Sequence, residues 1–213
     1  MVRSPQPSRA RERRADAERN GHAILDAATR ALTANPAASM ADIAAEAGLG
    51  RVTVYAHFDN RETLIDAVLE RAIANGETML DGLALPEDPA DALALVLTSS
   101  WQLVSEANKL LAAASTALPP DRIRELHQAP AARVTDLLRR GRDSGSFRDD
   151  LPLEPLVTMI HVVINGAAAD VRAGTLTPET AGDFITEVVL SALQPSRPRP
   201  ELRGRRPRGP SAP

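Results

Sequence analysis

Apolar residues recur at three- and four-residue spacing along most of this sequence, and proline or glycine interrupts them at short intervals. The first segment contains Ile24, Leu25, Ala28 and Leu32, and it ends at Asn35 because a proline follows. Further helices are predicted at about 39–47, 48–56, 60–73, 89–107, 108–117, 120–144, 152–173 and 178–193. Helices of this length, joined by short loops and without strand-like alternation, predict an all-α bundle.

Composition argues against several classes of site. The chain has no cysteine, which excludes disulfides, thiolate nucleophiles and Cys-based zinc sites. Its four histidines, His22, His57, His127 and His161, show no metal-ligand spacing, so we expect no metal, no cofactor and no enzyme activity. No apolar run approaches the roughly 20 residues that cross a bilayer, and the basic amino terminus lacks the apolar stretch of a secretory signal. A soluble cytoplasmic protein without a membrane partner is therefore expected.

Charge is distributed unevenly along the chain, although the formal net charge is only −3. Residues 1–19 and residues 195–213 each carry six arginines, which leaves an acidic middle region. Both segments also contain proline and have few apolar residues, so we predict disorder for both. An alternative interpretation is that they are basic arms that add attraction to nucleic-acid phosphates.

The sequence between Ser39 and Phe58 has the spacing of two short helices that cross steeply. Ser39 is a predicted N-cap, with Asp42 at the capping-box position. Small residues at Ala44 and Ala47 allow the second helix to approach closely, and Gly48 stands where the chain reverses with a positive φ. Leu49 is predicted to fill the space between the helices. Packing for the second helix would come from Val52, Val54 and Phe58, while its other residues meet a polar partner.

This segment resembles the signature of TetR-family regulators. The resemblance is carried by Ile43-Ala44, Ala47-Gly48-Leu49, Val54-Tyr55, His57-Phe58 and Asn60-Arg61-Glu62-Thr63-Leu64. It is close over residues 21–73, and beyond them the number and lengths of the helices agree. The stretch from Gly145 to Leu151 is also similar to the loop that precedes the dimerisation helices of this family.

The resemblance implies a set of DNA contacts. Bases or adjacent phosphates would be met by Arg51, Val52 and Thr53, and phosphates by Tyr55, His57 and Arg61. The sequence departs from the family at Gly50, where a capping Ser or Thr is common, so Gly50 itself is a doubtful contact. From the residues alone, Tyr55 could instead belong to the core, His57 could be structural, and both arginines could be solvated charges.

The resemblance also implies the division of the chain and its partners. Residues 1–19 would be a disordered arm, 20–75 the helix-turn-helix domain, 76–194 a helical ligand-binding and dimerisation domain, and 195–213 a disordered tail. Helices that are apolar over a wide arc need cover from a partner as well as from their own domain, which favours a homodimer over a monomeric bundle. Candidate dimer contacts are Ile164, Ala168, Phe184 and Val188.

Polar residues on otherwise apolar helices are candidates for a ligand site. They are Trp101, Ser105, His127, Thr158, His161 and Asn165, of which the last three share one helix face. The same stripe could form a hydrogen-bonded core network or part of the dimer contact. The predicted function is a regulator, most simply a repressor, that binds a palindromic double-stranded DNA operator and is released by a small apolar or aromatic effector. The alternative is a helical protein-interaction or scaffolding module.

Overall fold

The structure is a computed structural model that describes residues 7–195, with side chains from Arg11 onward. Every regular element in that range is an α-helix, so the predicted all-α class is confirmed. The elements are α1 (Pro7–Ala34), α2 (Met40–Glu46), α3 (Arg51–His57), α4 (Arg61–Asp81), α5 (Pro89–Ala117), α6 (Pro120–Leu126), α7 (Gln128–Asp143), α8 (Leu153–Ala173) and α9 (Pro178–Leu193).

Helix α1 begins much earlier than the sequence suggested. The predicted disorder of residues 1–19 is wrong for residues 7–19, which are helical. This segment is rich in Ala, Arg and Glu, which favour helix, and Arg19 pairs with Asp16 one turn away. Residues 1–6 and 196–213 lie outside the described residues, so the disorder expected of the carboxy-terminal tail stays a prediction.

Two helix boundaries in the second half of the chain also differ from expectation. The predicted break between residues 107 and 108 is absent, and α5 continues to Ala117 because no proline or glycine interrupts it. The predicted helix 120–144 is instead divided at His127 into α6 and α7. Pro130 explains the division, because its ring conflicts with the carbonyl four residues earlier, at Leu126, and it cannot donate a hydrogen bond.

Short-range signals fix the helix-turn-helix. The Ser39 hydroxyl accepts a hydrogen bond from the Asp42 amide, and the Asp42 carboxylate accepts one from the Ser39 amide at 2.8 Å. Gly48 has φ +65°, a conformation that glycine adopts without strain. Asn60 and Thr63 form a second capping box at the start of α4. The predicted Ser39 cap and the predicted turn at Gly48 are confirmed.

The described residues pack around two hydrophobic cores, and α5 enters both. The amino-terminal core contains residues of α1–α4 together with Leu110, Ala113 and Ala114 of α5. The carboxy-terminal core is built by the first half of α5 with α7, α8 and α9. A division at 75/76 therefore does not separate two self-contained cores, because the amino-terminal core needs residues far beyond it.

Helix α8 is, within the described range, long and apolar enough to cross a membrane by length and composition, with a hydropathy of 1.3. The expectation that no apolar run reaches this length is corrected to that extent. Core helices of proteins outside membranes pass the same test. Leu156, Ile160 and Ile164 of α8 are buried against the chain's own helices, which accounts for its composition.

Candidate nucleic-acid interface and cavities

Helix α3 has one buried face and one open face. Val54 is completely buried in the amino-terminal core, whereas the Arg51, Val52 and Tyr55 side chains are exposed. Val52 is 85% exposed, so its predicted packing role is wrong, and it lies instead on the open face. Tyr55 is 50% exposed, so it does not belong to the core. Three of the six predicted DNA-contacting residues thus share one accessible surface.

Thr53 and His57 are half-buried at the edges of this open face. The His57 ring lies against Gly21 of α1, where an added Cβ would be 3.6 Å from Nδ1. It is also adjacent to the Phe58 ring, with ring centroids 6.5 Å apart. The His57 side chain therefore packs between α1 and the Phe58 ring, a contact that no local sequence signal announces.

Arg61 has a role that the sequence did not indicate. Its Nε donates to the carbonyl of Ala38 at 2.9 Å and its Nη2 donates to the carbonyl of Pro36 at 2.5 Å. These bonds tie the start of α4 to the loop that leads into α2. The guanidinium positions the helix-turn-helix, and its expected phosphate contact stays a prediction.

Charged groups hold the surroundings of α3 in place. Arg30 of α1 pairs with Glu46 of α2 at 2.7 Å. The backbone N–H of Ser39, then its hydroxyl, lower the pKa of Asp42, and the nearby Arg51 charge acts in the same direction. At neutral pH Asp42 is therefore an anion that completes the α2 cap.

The predicted ligand residues do not form one site. His127 and His161 line a cavity of about 80 Å³ between α4, α5, α7 and α8. Asn165 lies beside it and accepts a hydrogen bond at 2.6 Å from Asn108, which lines this cavity. Thr158 is exposed and donates to the Glu154 carbonyl of its own helix. Thr158, His161 and Asn165 were predicted to share one helix face, but only His161 of the three lines this cavity.

Trp101 and Ser105 lie on a different side of α5. Both line a separate, shallow depression with Ala168 of α8. Trp101 is buried and packs against Gly182 of α9, where an added Cβ would be 3.4 Å from the indole. Trp101 and Ser105 thus lie apart from the cavity that His127 and His161 line, and their contact with a ligand stays a prediction.

The predicted dimer residues also divide into two groups. Ile164 and Ala168 are buried by the chain itself, so they are not available to a partner, and that part of the prediction is wrong. Phe184 and Val188 are 45% and 37% exposed on α9, and Val162 is 64% exposed on the neighbouring α8. The α8–α9 face, defined here by Val162, Phe184 and Val188, is an exposed apolar surface.

Ion pairs connect α4 to the helices of the second half. Arg122 of α6 binds both carboxylate oxygens of Asp66, at 2.8 and 3.1 Å, and this hydrogen bonding raises the pKa of Arg122. Arg133 of α7 donates to Glu77 at 2.8 Å. Sequence reasoning missed these links because the partners are more than 50 residues apart and look like ordinary surface charges. Among the described residues, no three His, Asp or Glu side chains cluster as metal ligands would.

Comparison with known proteins agrees with this geometry. Residues 24–68 match the family model described as bacterial regulatory proteins, tetR family. An uncharacterised HTH-type transcriptional regulator of Mycobacterium tuberculosis is 36% identical over 100 residues, 46% of this chain and 50% of the relative. The HTH-type transcriptional repressor LfrR of Mycolicibacterium smegmatis is 47% identical over 51 residues, 24% of this chain and 27% of LfrR. The chain spans about half the length, or less, of these curated relatives.

Solved structures extend the likeness to nearly the whole described chain. A TetR family transcription regulator from Marinobacter aquaeolei superimposes with a TM-score of 0.69 at 19% identity, covering 86% of this chain and 98% of that one. LfrR from Mycobacterium smegmatis, in complex with proflavine, gives a TM-score of 0.69 at 22% identity, covering 83% and 97%. These likenesses establish the fold: an amino-terminal helix-turn-helix unit followed by a helical domain.

Proposed function

We propose that the chain belongs to the TetR family of bacterial regulatory proteins, whose family model its residues 24–68 match. We further propose that it is a ligand-responsive transcriptional repressor, and not an enzyme, and that it binds a palindromic operator as a homodimer. The observation that carries the proposal is the open face of α3. Val52 is 85% exposed beside the exposed Arg51 and Tyr55, and its side chain has no packing partner within the described chain. The major groove supplies such a partner, because thymine methyl groups accept apolar contacts while phosphates accept donors.

A two-fold assembly is supported by the α8–α9 face. Val162, Phe184 and Val188 are exposed apolar side chains on two helices that pack together, and a second copy of the chain would cover them. A dimer built on this face would present two copies of α3. Half-sites about 34–36 Å apart would then be contacted together, as palindromic operators require. Such a protein would act in the cytoplasm, where the DNA is.

A ligand response is supported by the position of α4. This helix belongs to the amino-terminal core, yet its residues Asp66 and Glu77 are held by arginines of α6 and α7. A ligand between these helices that prefers a different arrangement would move α4 and with it α3. It can do so only to the extent that its affinity differs between the two arrangements. The related LfrR structure contains proflavine, which is consistent with a helical domain that accepts a small molecule.

Operator selection from genomic DNA tests the proposal. Purified full-length protein should enrich a palindrome, bind it with an affinity that falls steeply as salt rises, and lose affinity on Arg51→Ala. Arg139→Ala is the matched control, because Arg139 is an exposed arginine of α7 that lies outside the helix-turn-helix. If no palindrome is enriched and both variants behave like the parent protein, the DNA-binding role is wrong and a protein-interaction module becomes the better interpretation.

A further inference from the structure

The cavity between α4, α5, α7 and α8 has a polarity that follows from its two histidines. His127 lies at the junction of α6 and α7, and His161 is in the middle of α8, so the two rings reach the cavity from different elements. In each ring Nδ1 is 2.9 Å from the carbonyl four residues earlier, Ile123 and Val157 respectively. Both rings are partly buried.

These contacts fix the hydrogen positions. A carbonyl oxygen can only accept, so Nδ1 of each ring must carry the hydrogen. In the neutral ring the remaining nitrogen, Nε2, is then a lone-pair acceptor. Neither Nε2 has a hydrogen-bond partner among the residues that the structure describes. The cavity is therefore lined by two histidines whose Nε2 acceptors are unused.

The donors of the same cavity are largely committed. The Ser100 hydroxyl donates to the Val96 carbonyl at 2.6 Å, and the Asn108 amide donates to Asn165 at 2.6 Å. Within the described chain, neither Lys nor Arg lines this cavity, and Glu77 is its charged member. The Glu77 carboxylate is already paired with Arg133, which also binds Asp81, so this arginine is not free for a ligand. A carboxylate ligand would therefore meet two lone pairs and no free cation.

The remaining walls are apolar, formed by residues such as Leu80, Leu103 and Val104. The volume of about 80 Å³ is several times the roughly 10–15 Å³ that one water needs. A larger cleft of about 500 Å³, between α1, α4 and α5, shares the wall residues Ala72, Leu103 and Ala107 with the cavity. A compact ring fits the cavity, and a larger ligand would extend toward this cleft.

We infer that the cavity selects apolar molecules that carry hydrogen-bond donors, such as phenols, aromatic amines and amidines, and rejects carboxylic acids. The inference rests on the proposed function only in taking this cavity as the effector site. It assigns His127 Nε2 and His161 Nε2 as the ligand-binding acceptors.

Two matched pairs of probes test the inference by ligand-observed NMR on the full chain without DNA. Phenol and anisole differ in one donor, and benzamidine and benzoate differ in donor capacity and charge. We expect phenol to bind about fivefold more tightly than anisole, the effect of one hydrogen bond, and benzamidine at least tenfold more tightly than benzoate. Phenol and anisole are both neutral, so their comparison is not affected by the general attraction of an acidic protein for cations.

Substitutions locate the effect. Combining His127→Phe with His161→Phe keeps the ring volume, removes both acceptors and should erase the phenol preference. A second double variant that combines His127→Phe with His161→Gln has one acceptor again and should recover part of the phenol preference. The control is His22→Phe, an exposed histidine of α1, which should keep the full preference. Thermal unfolding of each variant checks that it is folded.

Equal binding within both pairs, a preference that survives the double substitution, or no binding of any probe would overturn the inference. Because the experiment contains no DNA, its result is separable from the regulator proposal. Operator binding with no donor preference would remove the inference alone. A donor preference in a protein that selects no operator would remove the regulator role and leave the cavity chemistry standing.

Discussion

Helix α3 leaves three of its predicted DNA-contacting side chains exposed, whereas the predicted ligand-binding histidines of the second half are partly buried. On α3, Arg51, Val52 and Tyr55 project from a helix that is anchored by the buried Val54. In the second half, His127 and His161 come from separate elements and line one cavity. The first surface suits a large partner that approaches from outside, and the second suits a small molecule that must be surrounded.

The comparison teaches how the two regions tolerate change. The α3 surface depends on a few local devices, a cap, a turn glycine and one buried valine, so its outward side chains can change without loss of the fold. The cavity depends on the mutual placement of four helices. A change in packing between these helices therefore alters the cavity even when no lining residue is replaced.

The largest effect is expected at the α8–α9 face. Replacing Phe184 and Val188 with glutamate should separate the dimer, because two charges per chain would be buried in the contact. Operator affinity should then fall by about a hundredfold or more, since one half-site no longer assists the other. Light scattering and fluorescence anisotropy measure the two quantities. Gln128→Glu, at an exposed polar position, is the control. A double variant that remains dimeric would show that another surface forms the interface.

Packing in the carboxy-terminal core is tested at Gly141. A Cβ added there would lie 1.9 Å from the buried Phe147 ring, so Gly141→Ala must displace that ring. We expect the free energy of unfolding to fall by about 1–3 kcal/mol. Gly76→Ala is the matched control: its Cβ would meet nothing within 4 Å, and alanine in a helix should stabilise by up to about 1 kcal/mol. Urea denaturation measures the free energy of unfolding of both variants. If Gly141→Ala were as stable as the parent protein, the Phe147 ring would have room to move.

A smaller effect is expected on the open face of α3. Tyr55→Phe removes one hydroxyl and should weaken operator binding about fivefold, the usual size of one hydrogen bond. The unfolding midpoint should stay the same because this side chain is 50% exposed. Fluorescence anisotropy and thermal melts give the two values. Unchanged operator affinity would remove Tyr55 from the contact.

The smallest effect concerns the cap of α2. Because the folded state lowers the pKa of Asp42, its contribution is present above the unfolded value of about 3.9 and is lost as pH falls through the lower folded value. Asp42→Asn should therefore be slightly less stable than the parent protein at pH 7. The difference should shrink in denaturant titrations near pH 3. A difference that grows on acidification would contradict the assigned sign.

Sequence reasoning succeeded where structure is decided within a few residues. The Ser39 cap, the Gly48 turn and the inward Val54 follow from neighbours along the chain. It failed where distant residues decide. The burial of Ile164 depends on α5 and α9, and the carbonyl partners of Arg61 lie more than 20 residues away. Even the helical start at Pro7 was hidden, because a basic segment resembles a disordered arm until its propensity is considered.

The passage of α5 through both cores has a consequence for how such proteins can be recombined. A chimera that joins this helix-turn-helix unit to a foreign helical domain at residue 75 would strip Leu110, Ala113 and Ala114 from the amino-terminal core. The graft would have to carry the second half of α5, or the foreign helix would have to offer equally small residues at those positions. Modularity in this chain therefore ends in the middle of a helix, and exchange between relatives is limited to partners whose α5 is compatible.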